Sequence, residues 1–216
     1  MELDVKAITE IVTKVINACE TEDELLVPVG VSNRHIHLSR EHLDILFGEG
    51  YELTKLKDLS QPGQYACKEQ LTLVGPSLKA IEGVRVLGPV RKESQVEISR
   101  TDSFTLKVKP PVRESGSIKG SAGVTILGPK GVVVLKEGCI LANRHIHMSL
   151  EDGKKFNVKD GEYVAVEARG DGKRTTLYDV QVRVSDKFAL EMHLDTDDAN
   201  ACGIGNGCKV KIVSNK

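Results

Sequence analysis

The sequence predicts a mainly β protein made of two similar domains, and two observations carry that expectation. Short apolar runs alternate with Gly and Pro: Leu71–Val74, Val84–Leu87, Val124–Leu127, Val132–Leu135, Tyr163–Val166, Val180–Val184 and Val210–Val213. Gly-Pro pairs follow several of them (Gly75-Pro76, Gly88-Pro89, Gly128-Pro129), and short strands punctuated this way build a barrel or a sandwich. The second observation is an internal repeat. Asn33-Arg34-His35-Ile36-His37-Leu38-Ser39 recurs 110 residues later as Asn143-Arg144-His145-Ile146-His147-Met148-Ser149. Each copy is expected to sit in its own β domain, residues 25–127 and 128–216, with strands free to exchange between the halves. Pseudo-symmetric packing would turn both copies toward a shared cleft.

Composition narrows the function classes. The 216 residues carry 30 Lys+Arg against 31 Asp+Glu, so no basic field attracts nucleic acid or an anionic membrane. Aromatics are 4% and Trp is absent, which leaves little for stacking bases. No apolar run approaches the ~20 residues of a membrane span, and no signal peptide is expected at the start. Five cysteines, an odd number without a C-x-x-C, argue against a disulfide framework and for a cytoplasmic location.

Ahead of the β region, residues 1–24 form a separate extension. Ile8, Ile11, Val12, Val15, Ile16 and Cys19 recur at helical spacing over residues 1–20, with charges mostly on the other side. Such a helix either packs on the body or a dimer partner, or docks into a larger assembly. Ser39–Phe47 is the best internal helix, with Ser39 as its cap and Glu41 and Asp44 toward its positive end. Ser149–Phe156 reads as its counterpart.

The repeat also carries chemistry. In His-x-His on an extended strand the two imidazoles point to one face and can grip one cation. Two copies in equivalent places make a metal role the favoured reading, with zinc the default for imidazole ligands without a thiolate cluster. Two histidines need completion: His193 could complete one site and a carboxylate such as Glu97 the other. Three protein ligands leave a position open for water or substrate. His42 reads as an ordinary surface residue, and Cys67 is the cysteine to test as a ligand. Arg91 and Glu97, six residues apart, would share a face on one strand, and an arginine beside a metal clamps phosphate or carboxylate. Asp195–Asn200 reads as a cap or turn, and Gly203–Gly207 as a plain turn.

Several motifs in order resemble the PduL-type phosphate propanoyltransferases, a phosphotransacylase family. They are Val29–Leu38, Gln61–Tyr65, Val86–Arg91, Gln95–Asp102, Asn143–Ser149 and Leu190–Asp197, and the resemblance runs from about residue 27 to the C-terminus. It implies two β-barrel domains with short capping helices, a two-zinc site between them and a homodimer. It implies transfer of an acyl group, propanoyl or acetyl, from acyl-CoA to phosphate, giving acyl phosphate and CoA. By resemblance one Zn²⁺ falls to His35, His37 and Glu97, and the second to His145, His147 and His193. Arg91 matches the phosphate-binding arginine. Val31, Ser32, Asn33, Arg85 and Asn200 match CoA contacts, and Lys79 is the candidate for a further one within Pro76–Ala80, which departs from the family's usual Gly-Pro-Lys. Some members occupy protein-shelled microcompartments and carry an N-terminal amphipathic extension, similar to residues 1–20.

The chemistry agrees with these residues. Phosphate attacks a thioester poorly unless held in line, and an arginine with a metal supplies that orientation, while zinc can polarise the thioester oxygen. A soft thiolate could leave onto an open zinc position. The expectation is direct attack in a ternary complex without an acyl-enzyme. The rival readings are a zinc hydrolase of thioesters or phosphoesters and a non-catalytic module whose metals staple two barrels.

Overall fold

The computed structural model describes residues 25–213, so the helix expected over residues 1–20 lies outside the described residues. The first half of the described chain contributes β1 (Leu26–Ser32), β2 (His35–His37), β3 (Lys55–Asp58), β4 (Tyr65–Val74), β5 (Ala80–Gly88), β6 (Gln95–Glu97), β7 (Val112–Arg113) and β8 (Ala122–Leu127). The second contributes β9 (Val132–Ala142), β10 (His145–Met148), β11 (Tyr163–Gly170), β12 (Lys173–Val184), β13 (Glu191–Asp195) and β14 (Lys209–Val213). Four short helices intervene: α1 (Arg40–Phe47), α2 (Arg100–Leu106), α3 (Leu150–Lys155) and α4 (Thr196–Cys202). Every apolar run singled out above lies inside one of these strands.

The strands close into two six-stranded barrels, which removes the open edges a sheet would expose. The first circuit runs β4-β5-β2-β6-β9-β8 and back to β4, with β3 beside β4 and β7 beside β9. The second runs β1-β13-β10-β12-β11-β14. The circuits match strand for strand. Each His-x-His strand pairs parallel on one side, His35 with Arg85 and His145 with Gln181. On the other side it pairs antiparallel, His35 with Glu97 and His145 with His193. Strands exchange between the halves: β1, ahead of the first repeat, belongs to the second barrel, while β9, ahead of the second repeat, closes the first.

Each letter of the heptapeptide has a structural task, performed twice. The middle isoleucines, Ile36 and Ile146, point away from the histidines into the two cores and are fully buried. Leu38 and Met148 follow them into the same cores. Ser39 and Ser149 then cap α1 and α3, each side-chain oxygen accepting an N–H three residues on. The preceding arginines tie the strand to a capping helix of the same barrel. Arg34 forms a two-pronged pair with Asp102, at 2.8 and 2.9 Å, and Arg144 reaches Asp198 at 3.3 Å.

The sequence marks no helix at α2, and at α4 only the cap or turn expected over Asp195–Asn200, of which Asp195 is the cap. Both start from a polar cap, Ser99 with Asp102 in a reciprocal capping box and Asp195 accepting from the Asp198 N–H. Their C-termini lie against a strand end at Gly75 and Gly170, where a Cβ would fall 1.7 Å from the Leu106 carbonyl oxygen and 2.0 Å from that of Cys202. Only a residue without a side chain admits that approach.

Polar contacts join the barrels. Gln61, buried in the loop before β4, donates its amide to the Ala189 carbonyl (3.0 Å) and accepts from the Ala189 N–H (3.2 Å). Gln181 donates to Glu114 at 2.5 Å, the Thr101 N–H donates to Asp197 at 2.8 Å, and Ser60 bonds Glu191. Among the described residues no helix is long and apolar enough to cross a membrane.

Candidate functional site

A cavity of about 280 Å³ is lined by residues of both barrels. Its walls carry His35, His37, Glu97 and Arg91 from the first, and His145, His147, His193 and Arg183 from the second. The donor atoms of His35, His37 and Glu97 lie within 4.8 Å of one another, as do those of His145, His147 and His193, and either group could hold a metal ion. The completing residues arrive through strand pairing, Glu97 directly opposite His35 and His193 directly opposite His145.

The donor sets fit metal binding in detail. In each repeat the asparagine carbonyl fixes the first histidine: Nδ1 of His35 lies 2.8 Å from the Asn33 oxygen, and Nδ1 of His145 lies 2.8 Å from that of Asn143. With the proton held on Nδ1, the Nε2 lone pair of each ring is free to ligate. The second histidines present the opposite nitrogen. Nδ1 of His37 and of His147 is buried without a partner among the described residues, an arrangement that is costly unless something occupies it. Glu191 stands 2.7 Å from Nε2 of His193, a carboxylate–histidine contact of the kind that orients ligating imidazoles.

Burial keeps most of these rings neutral, which is the ligating form. It pushes His145 down to about 4, with His193 adding to the effect. His147 is lowered further, to about 2, and His37 is also lowered well below the ordinary imidazole range, in both cases by burial first and a neighbouring histidine second. The His35–Glu97 pair behaves differently. Burial opposes charge on both, yet their mutual attraction at 3.4 Å outweighs it, raising His35 and holding Glu97 well below the carboxylate range.

Arg91 does not share a strand with Glu97, as its spacing suggested. It forms an isolated bridge with Ser39, and the chain bends at Lys92 and Glu93 before β6 begins. Two exposed charged residues favour a bend into solvent over a continuous strand. The bridge nevertheless places Arg91 two residues beyond the end of β2, and both side chains line the cavity. A small network holds them there. The Ser115 hydroxyl accepts from Arg91 Nη1 (3.2 Å) and Gln95 Nε2 (2.9 Å) and donates to Glu97 Oε1 (2.9 Å).

The remaining expected residues are divided. Ser32 and Asn33 line the cavity, with Val31 immediately before them at the end of β1. Arg85 points elsewhere, donating to the Cys67 and Lys68 carbonyls, while Lys79 and Asn200 are exposed and outside the cavity lining. Cys67 is buried in the first core among apolar side chains, so it is no part of either donor group. His42 is half-buried, its Nδ1 2.7 Å from Ser94 Oγ, rather than free at the surface. Sequence reasoning missed Ser115, Arg183 and Glu191. Glu191 stood two residues before His193 on a strand-like run, a same-face spacing that could have flagged it.

Fold and site together define a two-barrel protein with paired three-donor metal-type groups and an arginine on one cavity. Comparison with known proteins gives that class a family. A family model described as phosphate propanoyltransferase matches residues 28–205. Phosphate propanoyltransferases from Thermotoga maritima (58% identity, covering 86% of this chain and 88% of that protein) and Lachnoclostridium phytofermentans (57%, 87% and 87%) are similar. So is that of Clostridioides difficile (50%, 95% and 97%). The chain belongs to the phosphate propanoyltransferase family, and membership supports a phosphate acyltransferase activity.

Proposed function

We propose that the protein transfers a short acyl group, propanoyl or acetyl, between coenzyme A and inorganic phosphate, using two zinc ions per chain. The observation that carries this is the convergence of two three-donor groups and Arg91 on one cavity reached from both barrels. His35, His37 and Glu97 would hold one ion, and His145, His147 and His193 the other. A zinc bound there supplies Lewis-acid polarisation of the thioester oxygen.

The chain's own groups would do the rest. Arg91, fixed by Ser115 and by its backbone bridge to Ser39, offers a planar fork to two phosphate oxygens. That orientation lets a phosphate oxygen approach the acyl carbon in line. An O–C bond forms, the C–S bond breaks, and the proton of hydrogen phosphate ends on the departing thiol. Neutral, metal-committed imidazoles are poorly placed to act as general bases, which favours direct attack without an acyl-enzyme. Ser32 and Asn33, at the cavity wall, support the reading of Val31–Asn33 as a CoA contact; Arg85, Asn200 and Lys79 would meet more distant parts of the cofactor.

Homodimer formation and encapsulation in a cytoplasmic microcompartment through residues 1–20 belong to the same proposal. Deleting 1–20 should leave activity and remove encapsulation. Metal analysis should return two zinc ions per chain, and CoA release from acyl-CoA should require phosphate across an acyl-chain series. Release without phosphate would establish a hydrolase instead, and a burst of CoA before phosphate addition would establish an acyl-enzyme.

A further inference from the structure

We propose that Arg183 is the second arm of the phosphate clamp, binding the transferred phosphate opposite Arg91 from the other barrel. The inference deepens the acyltransferase reading and rests on it for the identity of the anion.

Arg183 lies on β12 directly beside His147 of β10, so the two side chains leave the barrel on one face and both line the cavity. At the corresponding place in the first barrel, one step along β5 from Val86, stands Leu87. The first barrel's arginine comes instead from Arg91, beyond the end of β5. Each barrel therefore supplies one guanidinium, from non-equivalent positions, to the same cavity.

Their charge is not compensated in the same way as that of the other arginines nearby. Arg34 and Arg144 are tied to Asp102 and Asp198. The Arg183 side chain, on a strand whose backbone is paired with β10, makes no hydrogen bond or ion pair among the described residues. Arg91 has Ser115 and the field of Glu97, a carboxylate already shared with His35. The two guanidiniums also feel each other. Burial lowers Arg91, Glu97 works against that, and the charge of Arg183 lowers it further. Like charges facing one partly desolvated space are unfavourable until a dianion lies between them. Phosphate, with oxygens to offer both forks, removes that repulsion and is held at two points rather than one.

Phosphoryl oxygens could also come from coenzyme A, so the test separates the sources. Arg183→Gln should raise the KM for inorganic phosphate at least about tenfold and leave the KM for acyl-CoA within twofold. Calorimetric titration of the protein with inorganic phosphate alone should weaken by the same factor. Arg183→Lys keeps the charge and the stem but loses the fork, and should fall between wild type and Arg183→Gln; it also carries the test if the glutamine variant folds poorly. An unchanged phosphate KM, a shift confined to acyl-CoA, or wild-type phosphate binding in the lysine variant would overturn the clamp. A wild-type protein that binds phosphate through Arg183 yet releases no CoA would overturn the acyltransferase reading and leave the clamp standing.

Discussion

Ser115→Ala isolates how the cavity holds its charged groups. Ser115 is half-buried on the cavity wall, so losing its hydroxyl removes polar contacts at the cavity. The loss ends three contacts: acceptance from Arg91 Nη1 and Gln95 Nε2, and donation to Glu97 Oε1. Two of these involve charged groups, for which a hydrogen bond contributes about 1.5–3 kcal/mol each. Gln95 still donates to Glu97 at 2.6 Å, and water from the cavity replaces part of what Arg91 loses. The net loss is then about 1.5–3 kcal/mol, roughly half of the sum for the two charged contacts. For a chain of this size that lowers Tm by about 3–12 °C. The share that falls on Arg91, about 1.4 kcal/mol, should raise the KM for phosphate about tenfold. Differential scanning fluorimetry and phosphate-dependent CoA release read the two effects separately. A variant with wild-type Tm and wild-type phosphate KM would refute the claim that Ser115 positions Arg91 and Glu97.

Three further outcomes follow from the packing. Gly75→Ala and Gly170→Ala should each destabilise by about 3 kcal/mol or more, because backbone rather than a movable side chain blocks the new Cβ; chemical denaturation measures this, and mild effects would mean that α2 and α4 can slide. Gln61→Ala leaves the Ala189 N–H and carbonyl unsatisfied between the barrels, and should cost about 2–4 kcal/mol with a gain in hydrogen exchange around residues 185–190. Burial pushes the Cys67 thiol up to about 11 and Cys139 up to about 12, so both remain protonated at pH 8 and should resist alkylation in the native state. Exposed Cys208 should be alkylated first among the described cysteines, and peptide mapping by mass spectrometry would show any rapid reaction at Cys67 or Cys139.

Local and periodic features are legible in the chain alone. Apolar runs bounded by Gly and Pro located strands, because alternation and turn chemistry act over a few residues. The repeated heptapeptide located both halves of the site, since His-x-His on a strand fixes two imidazoles on one face wherever that strand lies. Ser39 announced its helix by cap chemistry, and the repeat carried the same reading to the helix after Ser149. Pairing partners distant in the chain emerge only when the barrels fold. No spacing rule puts β1 into the second barrel and β9 into the first, because strand exchange depends on which edges remain open when each barrel closes. The same long-range register sets Glu97 against His35 and His193 against His145. It brings Arg183 into the cavity with Arg91, and it brings the Ser115 loop over both Arg91 and Glu97. Those placements are relations between surfaces, and a surface exists only once the barrels have closed.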